Sequence, residues 1–138
     1  MKKILVMGLP GAGKTTFTKQ LVAACPFHID AYNGDTIRKY YDDWHFNEEG
    51  RLRQARRMRL MADLCIEKLG YHCVCDFVCP TQALRDLFDP DIMVWMNTIQ
   101  VSRYEDTNMC FEKPNNYTYM ITSYDQYDDV VKEILKQL

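Results

Sequence analysis

The residues whose chemistry is easiest to interpret lie near the N-terminus, where Gly8-Leu9-Pro10-Gly11-Ala12-Gly13-Lys14-Thr15 matches the pattern GxxxxGK[ST] at every position. Glycines let the backbone turn so that successive N–H groups point at one anion, and a helix beginning at Lys14 adds the positive end of its dipole. The segment therefore predicts a site for the phosphates of ATP. Its predicted contacts are Gly8, Gly11, Ala12, Gly13, Lys14, Thr15 and Thr16.

The side chains of this phosphate loop predict a phosphoryl donor and a metal. Lys14 is expected to lie against the transferring phosphoryl oxygens, and the Thr15 hydroxyl is expected to ligate Mg²⁺. ATP and Mg²⁺ are therefore the expected cofactors.

Two carboxylates follow predicted strands and are expected near the loop, because the carboxyl ends of parallel strands meet at one edge of a sheet. Asp35 can accept the proton of an acceptor hydroxyl or hold Mg²⁺ through water, or it can simply cap the next helix. Asp76 either holds Mg²⁺ through water or caps the turn that follows it. Both residues are candidates for catalytic and metal-binding roles.

The elements that must position these residues alternate between strands and helices. The predicted strands are Lys3–Met7, Phe27–Tyr32, His72–Asp76, Asp91–Met96 and a weak Tyr117–Thr122. The predicted helices are Lys14–Ala24, Asp35–Tyr41, Glu48–Leu69, Thr81–Phe88 and Tyr124–Leu138. This order predicts an α/β fold of the P-loop NTPase, nucleotide-kinase-like kind, with a parallel sheet of about five strands flanked by helices. We expect a single domain over residues 1–138.

The amino-acid composition limits the kinds of partner that this chain is expected to bind. The 138 residues are 47% hydrophobic and carry a formal charge of −2, so the chain as a whole does not attract nucleic acid or a membrane surface. No apolar run is long enough to span a bilayer, and the run after Lys3 is too short for a signal peptide. We expect a cytoplasmic protein with a small nucleotide-like substrate, and Met and Tyr in the C-terminal half favour a homodimer.

The six cysteines have two interpretations. Cys73, Cys75 and Cys79, with His72 beside them, carry atoms that can ligate a metal, but no second pair completes four ligands. We favour small buried hydrophobic side chains instead.

Arginines predict an acceptor site. Arg38 lies near the same sheet edge as the phosphate loop, and its guanidinium can pair with an anion in bidentate fashion. Five arginines fall between Arg51 and Arg59, and helical spacing directs Arg51 toward the phosphate loop. Arg53, Arg56 and Arg57 point elsewhere and are expected to form a solvated face.

Three segments resemble the adenylylsulfate (APS) kinases. Phe46–Arg57 resembles that family's F-S-x-x-D-R-x-E-N-I-R-R, and the segment around Asp35 and Arg38 resembles its D-G-D-N-[IV]-R. Asp76–Pro80 resembles its S-F-[IV]-S-P. The motifs agree in order and spacing, and with the phosphate loop the resemblance covers roughly residues 3 to 96.

The resemblance implies transfer of the γ-phosphate of ATP to the 3′-hydroxyl of adenosine 5′-phosphosulfate. It implies that Asp35 is the base and metal partner, that Arg38 and Arg51 hold the phosphosulfate, and that Phe46 stacks on the adenine. Gln54 stands where the family has Asn. Val78 and Cys79 fall in the family's acceptor-binding segment.

The chain also departs from the family's motifs. Asn33 replaces the first acid of D-G-D, Asp76 replaces a small residue, and Cys79 replaces serine, whereas Arg85 keeps the place of an arginine. Only residues 98–114 remain for a lid. Within it, Arg103 is expected to touch ATP and Phe111 to supply a second stacking aromatic, with helix surface and core filling as their alternatives.

These departures leave three functional interpretations open. The first is an APS kinase. The second is a kinase of the same fold that acts on another nucleoside, nucleotide or nucleic-acid hydroxyl. The third is a non-catalytic, ATP-binding regulator, which the short lid favours because an incomplete lid excludes water poorly.

Overall fold

The computed structural model describes residues 1–138 and contains five strands and six α-helices. The strands are β1 (Lys3–Met7), β2 (Ile29–Asn33), β3 (His72–Asp76), β4 (Ile92–Met96) and β5 (Tyr119–Ile121). The helices are α1 (Lys14–Ala24), α2 (Gly34–Tyr41), α3 (Glu48–Leu64), α4 (Gln82–Phe88), α5 (Glu105–Cys110) and α6 (Tyr127–Leu135).

The strands form one parallel sheet in the order β2-β3-β1-β4-β5. This arrangement confirms the predicted α/β, P-loop NTPase fold with five strands. The register pairs Val6 of β1 with Asp76 of β3, and Asn33 of β2 with the same Asp76. The carboxyl ends of β1, β2 and β3 therefore lie side by side at one edge of the sheet.

Helices bury both faces of the sheet, as the continuous apolar run of β1 predicts. Leu5 and Met7 of β1 belong to a core on the face covered by α3 and α4. Ile4 and Val6 belong to a second core on the face covered by α1 and α6. The sheet therefore lies between two layers of helices.

The predicted helix boundaries are wrong at positions where the local backbone geometry changes. The long helix is α-helical only as far as Leu64, and Cys65–Leu69 forms a π-helical turn that leaves Leu69 exposed. Gly70 ends this turn with a φ of +72°, a left-handed conformation that glycine adopts without strain. The segment left for a lid, residues 98–114, contains α5, and the helix predicted from Tyr124 begins with a 3-10 turn at Tyr124–Gln126 before α6.

The six cysteines are all unpaired, and four of them are buried. Cys73 and Cys75 face the same core, with their Sγ atoms 3.9 Å apart. Burial raises the pKa of the Cys79 thiol to about 12, so this side chain is a neutral thiol at physiological pH. None of the helices is both long enough and apolar enough to cross a membrane.

Candidate active site

A cleft of about 940 Å³ opens at the carboxyl edge of the sheet and contains most of the predicted site residues. Those that line it are Gly11, Gly13, Lys14, Thr15, Thr16, Asp35, Arg38, Phe46, Arg51, Gln54, Asp76, Val78, Cys79 and Arg103. Gly8, Ala12 and Phe111 do not line it. We call the part formed by residues 8–16 the donor half and the part formed by Arg38, Phe46 and Arg51 the acceptor half.

The donor half is mainly backbone. Gly13 precedes α1 with a φ of +94°, and a Cβ there would collide with the Tyr127 hydroxyl, so only glycine fits. The first turn of α1 has no side-chain cap, which leaves its N–H groups free for an anion. Lys14 donates from Nζ to the Leu9 carbonyl at 2.9 Å, and burial lowers the pKa of Lys14 to about 8 despite the nearby acids.

Gly8 and Ala12 shape the loop from behind. A Cβ on Gly8, whose φ is +151°, would lie 2.6 Å from the Met96 carbonyl oxygen, so the loop packs directly on the end of β4. The Ala12 carbonyl accepts a hydrogen bond from the Thr98 hydroxyl at 2.7 Å, and the side chain of Ala12 is buried. Both residues therefore hold the loop in place without facing the cleft.

A polar cluster joins the ends of β2 and β3 to the donor half. The Asn33 amide donates to Asp76 Oδ1 at 2.7 Å and to the Thr15 hydroxyl at 3.1 Å, and that hydroxyl lies 3.4 Å from the same Asp76 oxygen. Asp76 is 3% exposed, and burial raises its pKa even though Asn33, Lys14 and Thr15 oppose the shift. Its hydrogen bonds are made with the donor half and β2, which favours the metal-binding interpretation over capping of the next turn.

The donor atoms of this cluster fit Mg²⁺. A hydroxyl and a carboxylate are the hard oxygen ligands that Mg²⁺ prefers, and it commonly takes only one or two protein ligands besides water and phosphate. Thr15 and Asp76 are the residues that would hold the ion.

Asn33, and not Asp35, caps α2. The Asn33 side-chain oxygen accepts from the Thr36 N–H at 3.0 Å, which is the usual helix cap. Asp35 lies in the first turn of α2, is exposed, and makes no hydrogen bond within the chain. Its carboxylate is therefore free in the cleft, so the capping alternative for Asp35 is wrong.

Arg38 and Phe46 form a stacked pair in the acceptor half. Arg38 is 6% exposed, and its guanidinium carbon lies 4.4 Å from the centre of the Phe46 ring. Arg38 Nη1 donates to the carbonyls of Asp43 and His45 at 2.9 and 3.1 Å. Burial lowers the pKa of Arg38, but the group stays charged because an arginine titrates so far above neutral pH. The rest of its guanidinium fork is free for an anion.

Arg51 connects the acceptor half to α5. Its Nε donates to the Phe46 carbonyl at 2.7 Å, and its Nη2 donates to the Thr107 hydroxyl at 3.2 Å. The same nitrogen lies 3.8 Å from an Asp106 carboxylate oxygen. Arg51 faces the cleft shared with the phosphate loop, as the helical spacing predicts.

The prediction that Arg53, Arg56 and Arg57 form a solvated face is corrected by the structure for Arg53 and Arg57. Arg53 and Arg57 both pair with the buried Asp43, at 3.1 and 2.9 Å, and their hydrogen bonds hold the pKa of that carboxyl well below its usual range. Arg56 is exposed, whereas the side chain of Arg53 is 42% exposed and that of Arg57 is 16% exposed. The Gln54 amide donates to the Gly34 carbonyl at 2.8 Å and accepts from Arg57, so it anchors α2 more than it faces a ligand.

Val78 and Cys79 form the wall of the cleft beyond β3. Cys79 has a φ of +46°, a backbone strain that non-glycine residues rarely carry. Arg85, which is 1% exposed, donates to the carbonyls of Cys79 and Pro80, both at 3.0 Å. Arg85, which keeps the place of an arginine in the motif that this chain resembles, therefore holds this strained turn.

The two predicted lid residues, Arg103 and Phe111, lie in different environments. Arg103 lines the cleft just before α5, with its guanidinium carbon 5.1 Å from the centre of the Tyr104 ring. Phe111 packs against the core and lies 5.4 Å from the Arg85 guanidinium carbon. The stacking prediction for Phe111 is not supported, because the turn after α5 directs its ring into the protein.

Several residues of the cleft were not predicted from the sequence. Trp44 and Tyr104 add exposed aromatic surface, Thr107 and Asp106 reach it from α5, and Asn33 joins its two halves. Asn33 could have been identified from the sequence, because it ends a strand beside the phosphate loop. Thr107 had none, since its contact with Arg51 depends on where a short helix packs.

A phosphate loop between β1 and α1, with a carboxylate and two arginines facing it across one cleft, defines a P-loop kinase. The family model for adenylylsulphate kinase matches residues 2–120. The chain therefore belongs to the adenylylsulphate kinase family, and it is a phosphotransferase with an alcohol group as acceptor. This assignment favours the kinase interpretations over a non-catalytic regulator.

Solved structures share the fold at low identity. The APS kinase CysC of Mycobacterium tuberculosis, in complex with AMPPNP and APS, has a TM-score of 0.83 and 17% identity over 99% of this chain and 98% of its own. A hexameric APS kinase from Thiobacillus denitrificans has a TM-score of 0.72 and 21% identity, over 99% of this chain and 28% of its own. A gluconokinase from Sinorhizobium meliloti 1021 has a TM-score of 0.63 and 17% identity, over 98% and 90%. A search of curated protein sequences gave no match.

Proposed function

We propose that this chain transfers the γ-phosphate of ATP to the 3′-hydroxyl of adenosine 5′-phosphosulfate, giving PAPS and ADP. The observation that carries the proposal is the acceptor half, where the buried Arg38 and Arg51 adjoin the Phe46 ring in the same cleft as the phosphate loop. This combination suits an acceptor with an adenine and a phosphosulfate, since an aromatic ring can stack on the base and guanidinium groups can pair with the anion.

The donor half binds the phosphates of ATP. The free N–H groups of α1 and the Lys14 ammonium face the phosphate oxygens, and Lys14 exchanges its contact with the Leu9 carbonyl for one with phosphate. Thr15 and Asp76 would hold Mg²⁺, which neutralises charge on the β- and γ-phosphates when bound. Positioning and charge stabilisation then supply most of the catalysis.

Asp35 receives the proton. The acceptor hydroxyl oxygen attacks the γ-phosphorus, the bond from that phosphorus to the ADP oxygen breaks, and the hydroxyl proton moves to the Asp35 carboxylate. A carboxylate without a hydrogen bond in the chain is suited to this role, because no internal contact must be broken first. Arg103 and α5 border the cleft and can limit the access of water to it.

The test is product formation with defined acceptors. The chain is incubated with saturating Mg-ATP and APS, and PAPS and ADP are separated and quantified. We expect stoichiometric PAPS and ADP, no PAPS from Lys14→Ala, and little ADP without acceptor. Absence of PAPS from the folded wild-type chain would overturn the APS proposal.

A kinase of another hydroxyl is the second candidate. Two departures favour it: Gln54 is bound to Gly34 and Arg57 instead of being free, and Cys79 replaces the family's serine. A gluconokinase also shares the fold. The same assay with adenosine, AMP, a 5′-hydroxyl oligonucleotide and gluconate decides between the two, and exclusive use of APS removes this candidate.

We further propose that the chain works in the cytoplasm as a homodimer. Six unpaired thiols suit a reducing compartment. Exposed Met109, Met120 and Tyr124 in the C-terminal half offer apolar surface for a second copy. Light scattering after gel filtration tests the dimer, and a monomeric mass at high protein concentration would contradict it.

A further inference from the structure

The ends of β2 and β3 carry one amide and one carboxylate in direct contact. Asn33 and Asp76 are partners in the parallel register, and the Asn33 Nδ2 lies 2.7 Å from Asp76 Oδ1. The motifs that this chain resembles carry the acid on the other strand, at the position of Asn33, and have a small residue at that of Asp76. The single carboxylate of the pair is therefore on β3 here.

The orientation of the Asn33 amide is fixed by the backbone. Its Oδ1 accepts from the Thr36 N–H at 3.0 Å, and an N–H group can only donate. The Nδ2 must then face the other way, toward Asp76 and the Thr15 hydroxyl, 3.1 Å away. One side chain thus links the start of α2, which carries Asp35, to the donor half.

The hydrogen bonds of Asp76 leave one oxygen available. Both the Asn33 amide and the Thr15 hydroxyl contact Oδ1, whereas Oδ2 receives no hydrogen bond in the chain. An acid at position 33 could not donate to Asp76 and would place two negative charges in contact. The pair therefore requires one amide and one carboxylate, but the geometry permits either order.

We propose that Asn33 and Asp76 form an exchanged amide–carboxylate pair, in which Asp76 supplies the carboxylate for Mg²⁺ and Asn33 is a positioning residue that aligns Asp76, Thr15 and α2. This inference rests on the proposed function, because it concerns how the same cleft holds Mg-ATP. It assigns Asn33 a role that its neutral amide performs.

The experiment is a reciprocal exchange read out by nucleotide binding. Calorimetry measures the dissociation constant of a non-hydrolysable ATP analogue with Mg²⁺ and with EDTA, for wild type, Asn33→Asp, Asp76→Asn and the double variant. The readout is the dissociation constant measured with EDTA divided by the dissociation constant measured with Mg²⁺, so a larger ratio means a stronger dependence of binding on Mg²⁺. It requires no turnover, and Tm of each unliganded variant is recorded alongside it.

Asp76→Asn should reduce the Mg²⁺-dependent ratio by about tenfold or more, the size of effect typical when the groups around a metal are disturbed. Asn33→Asp should lower Tm of the unliganded chain, because it places two carboxylates in contact. The double variant should restore both the ratio and Tm to near the wild-type values. If it does not fold, Asn33→Asp with Asp76→Ser, which has the residues of the motif, tests whether a carboxylate at position 33 restores the ratio that Asp76→Asn loses.

The matched control is Asn47→Asp, because Asn47 caps α3 through its side chain as Asn33 caps α2, but its side chain makes no hydrogen bond to a carboxylate. Its ratio should not change. An unchanged ratio in Asp76→Asn, or a folded exchange variant no better than Asp76→Asn, would overturn the inference while leaving the proposed function intact. A wild-type chain that binds the analogue equally with and without Mg²⁺ overturns this inference, and loss of PAPS formation in the separate assay overturns the proposed function.

Discussion

In the donor half of the cleft, the groups that face the ligand are mainly backbone N–H groups, whereas the acceptor half faces it with two guanidinium groups. The donor half depends on contiguous residues, where Gly13 and the start of α1 fix the shape. The acceptor half depends on Arg38 and Arg51, which come from two helices and are held by carbonyls and by a hydroxyl on α5.

Because of this difference, amino-acid substitutions should have different effects in the two halves. The loop is set by local backbone geometry, so a change of one ligand-facing side chain removes a function without disturbing the fold. The guanidinium groups of the acceptor half also hold the protein together, so binding and stability are coupled there. The Asp43 cluster with Arg53 and Arg57 shows this coupling, since it supports the loop whose carbonyls hold Arg38.

The largest expected effect is in the donor half. Lys14→Ala should lower kcat by at least about a hundredfold, because it removes a cation from the developing charge on the phosphoryl group. Circular dichroism should show an unchanged fold, since Lys14 makes only one hydrogen bond, to the Leu9 carbonyl. Lys19→Ala, at an exposed position of the same helix, is the control and should keep full activity. A similar rate loss in both variants would contradict a specific role for Lys14.

Asp35 lies between the two halves, and Asp35→Asn should affect the chemical step much more than the binding of ATP. We expect kcat to fall by about 10² to 10⁴, the usual contribution of a general base, while the dissociation constant for ATP changes little. Asp42→Asn is the matched control, because Asp42 ends the same helix in a left-handed conformation that asparagine also adopts. A kcat that stays within a few-fold of wild type would exclude Asp35 as the base.

Arg51→Ala probes the acceptor half. Loss of a charged hydrogen bond worth ~1.5–3 kcal/mol should raise KM for APS by about tenfold or more, with a smaller change in kcat. Arg51→Lys should give an intermediate KM, because it keeps the charge but not the forked geometry. Arg56→Ala, exposed on the same helix, should leave KM unchanged. An unaltered KM in Arg51→Ala would mean that the acceptor does not contact this guanidinium.

The smallest effect should come from Asp43→Asn, which tests the support behind the acceptor half. The pKa of Asp43 is held below its unfolded value of about 3.9 by the Arg53 and Arg57 hydrogen bonds, so its stabilisation is present above that pH and is lost as the pH falls through the folded pKa. The difference in Tm between wild type and Asp43→Asn should be a few degrees at pH 7 and should narrow below about pH 4. A difference that is independent of pH would show that charge is not its cause.

The fold and the donor half could be predicted from sequence because both follow from short-range pattern. Buried strands at Lys3–Met7 and His72–Asp76, and the helix after Gly13, appear with the predicted boundaries. The placement of Arg38 and Arg51 in one cleft could also be predicted from the sequence, because strand ends and helical spacing direct them there. Helix α5 and the buried pairing of Arg57 with Asp43 did not follow, since each depends on the packing of distant segments.

The amino-acid sequence by itself determined the phosphate loop, the parallel sheet and the edge at which Asp35, Asp76 and the two arginines collect. These properties depend on periodicity and on glycine conformations, which are encoded within a few residues. Only the tertiary structure decided that Asn33 caps α2 and so frees Asp35, that Arg51 reaches Thr107, and that Phe111 turns inward. Each of these depends on which hydrogen-bond partner or surface lies nearest once the chain has packed, and distances of that kind are set by the whole fold.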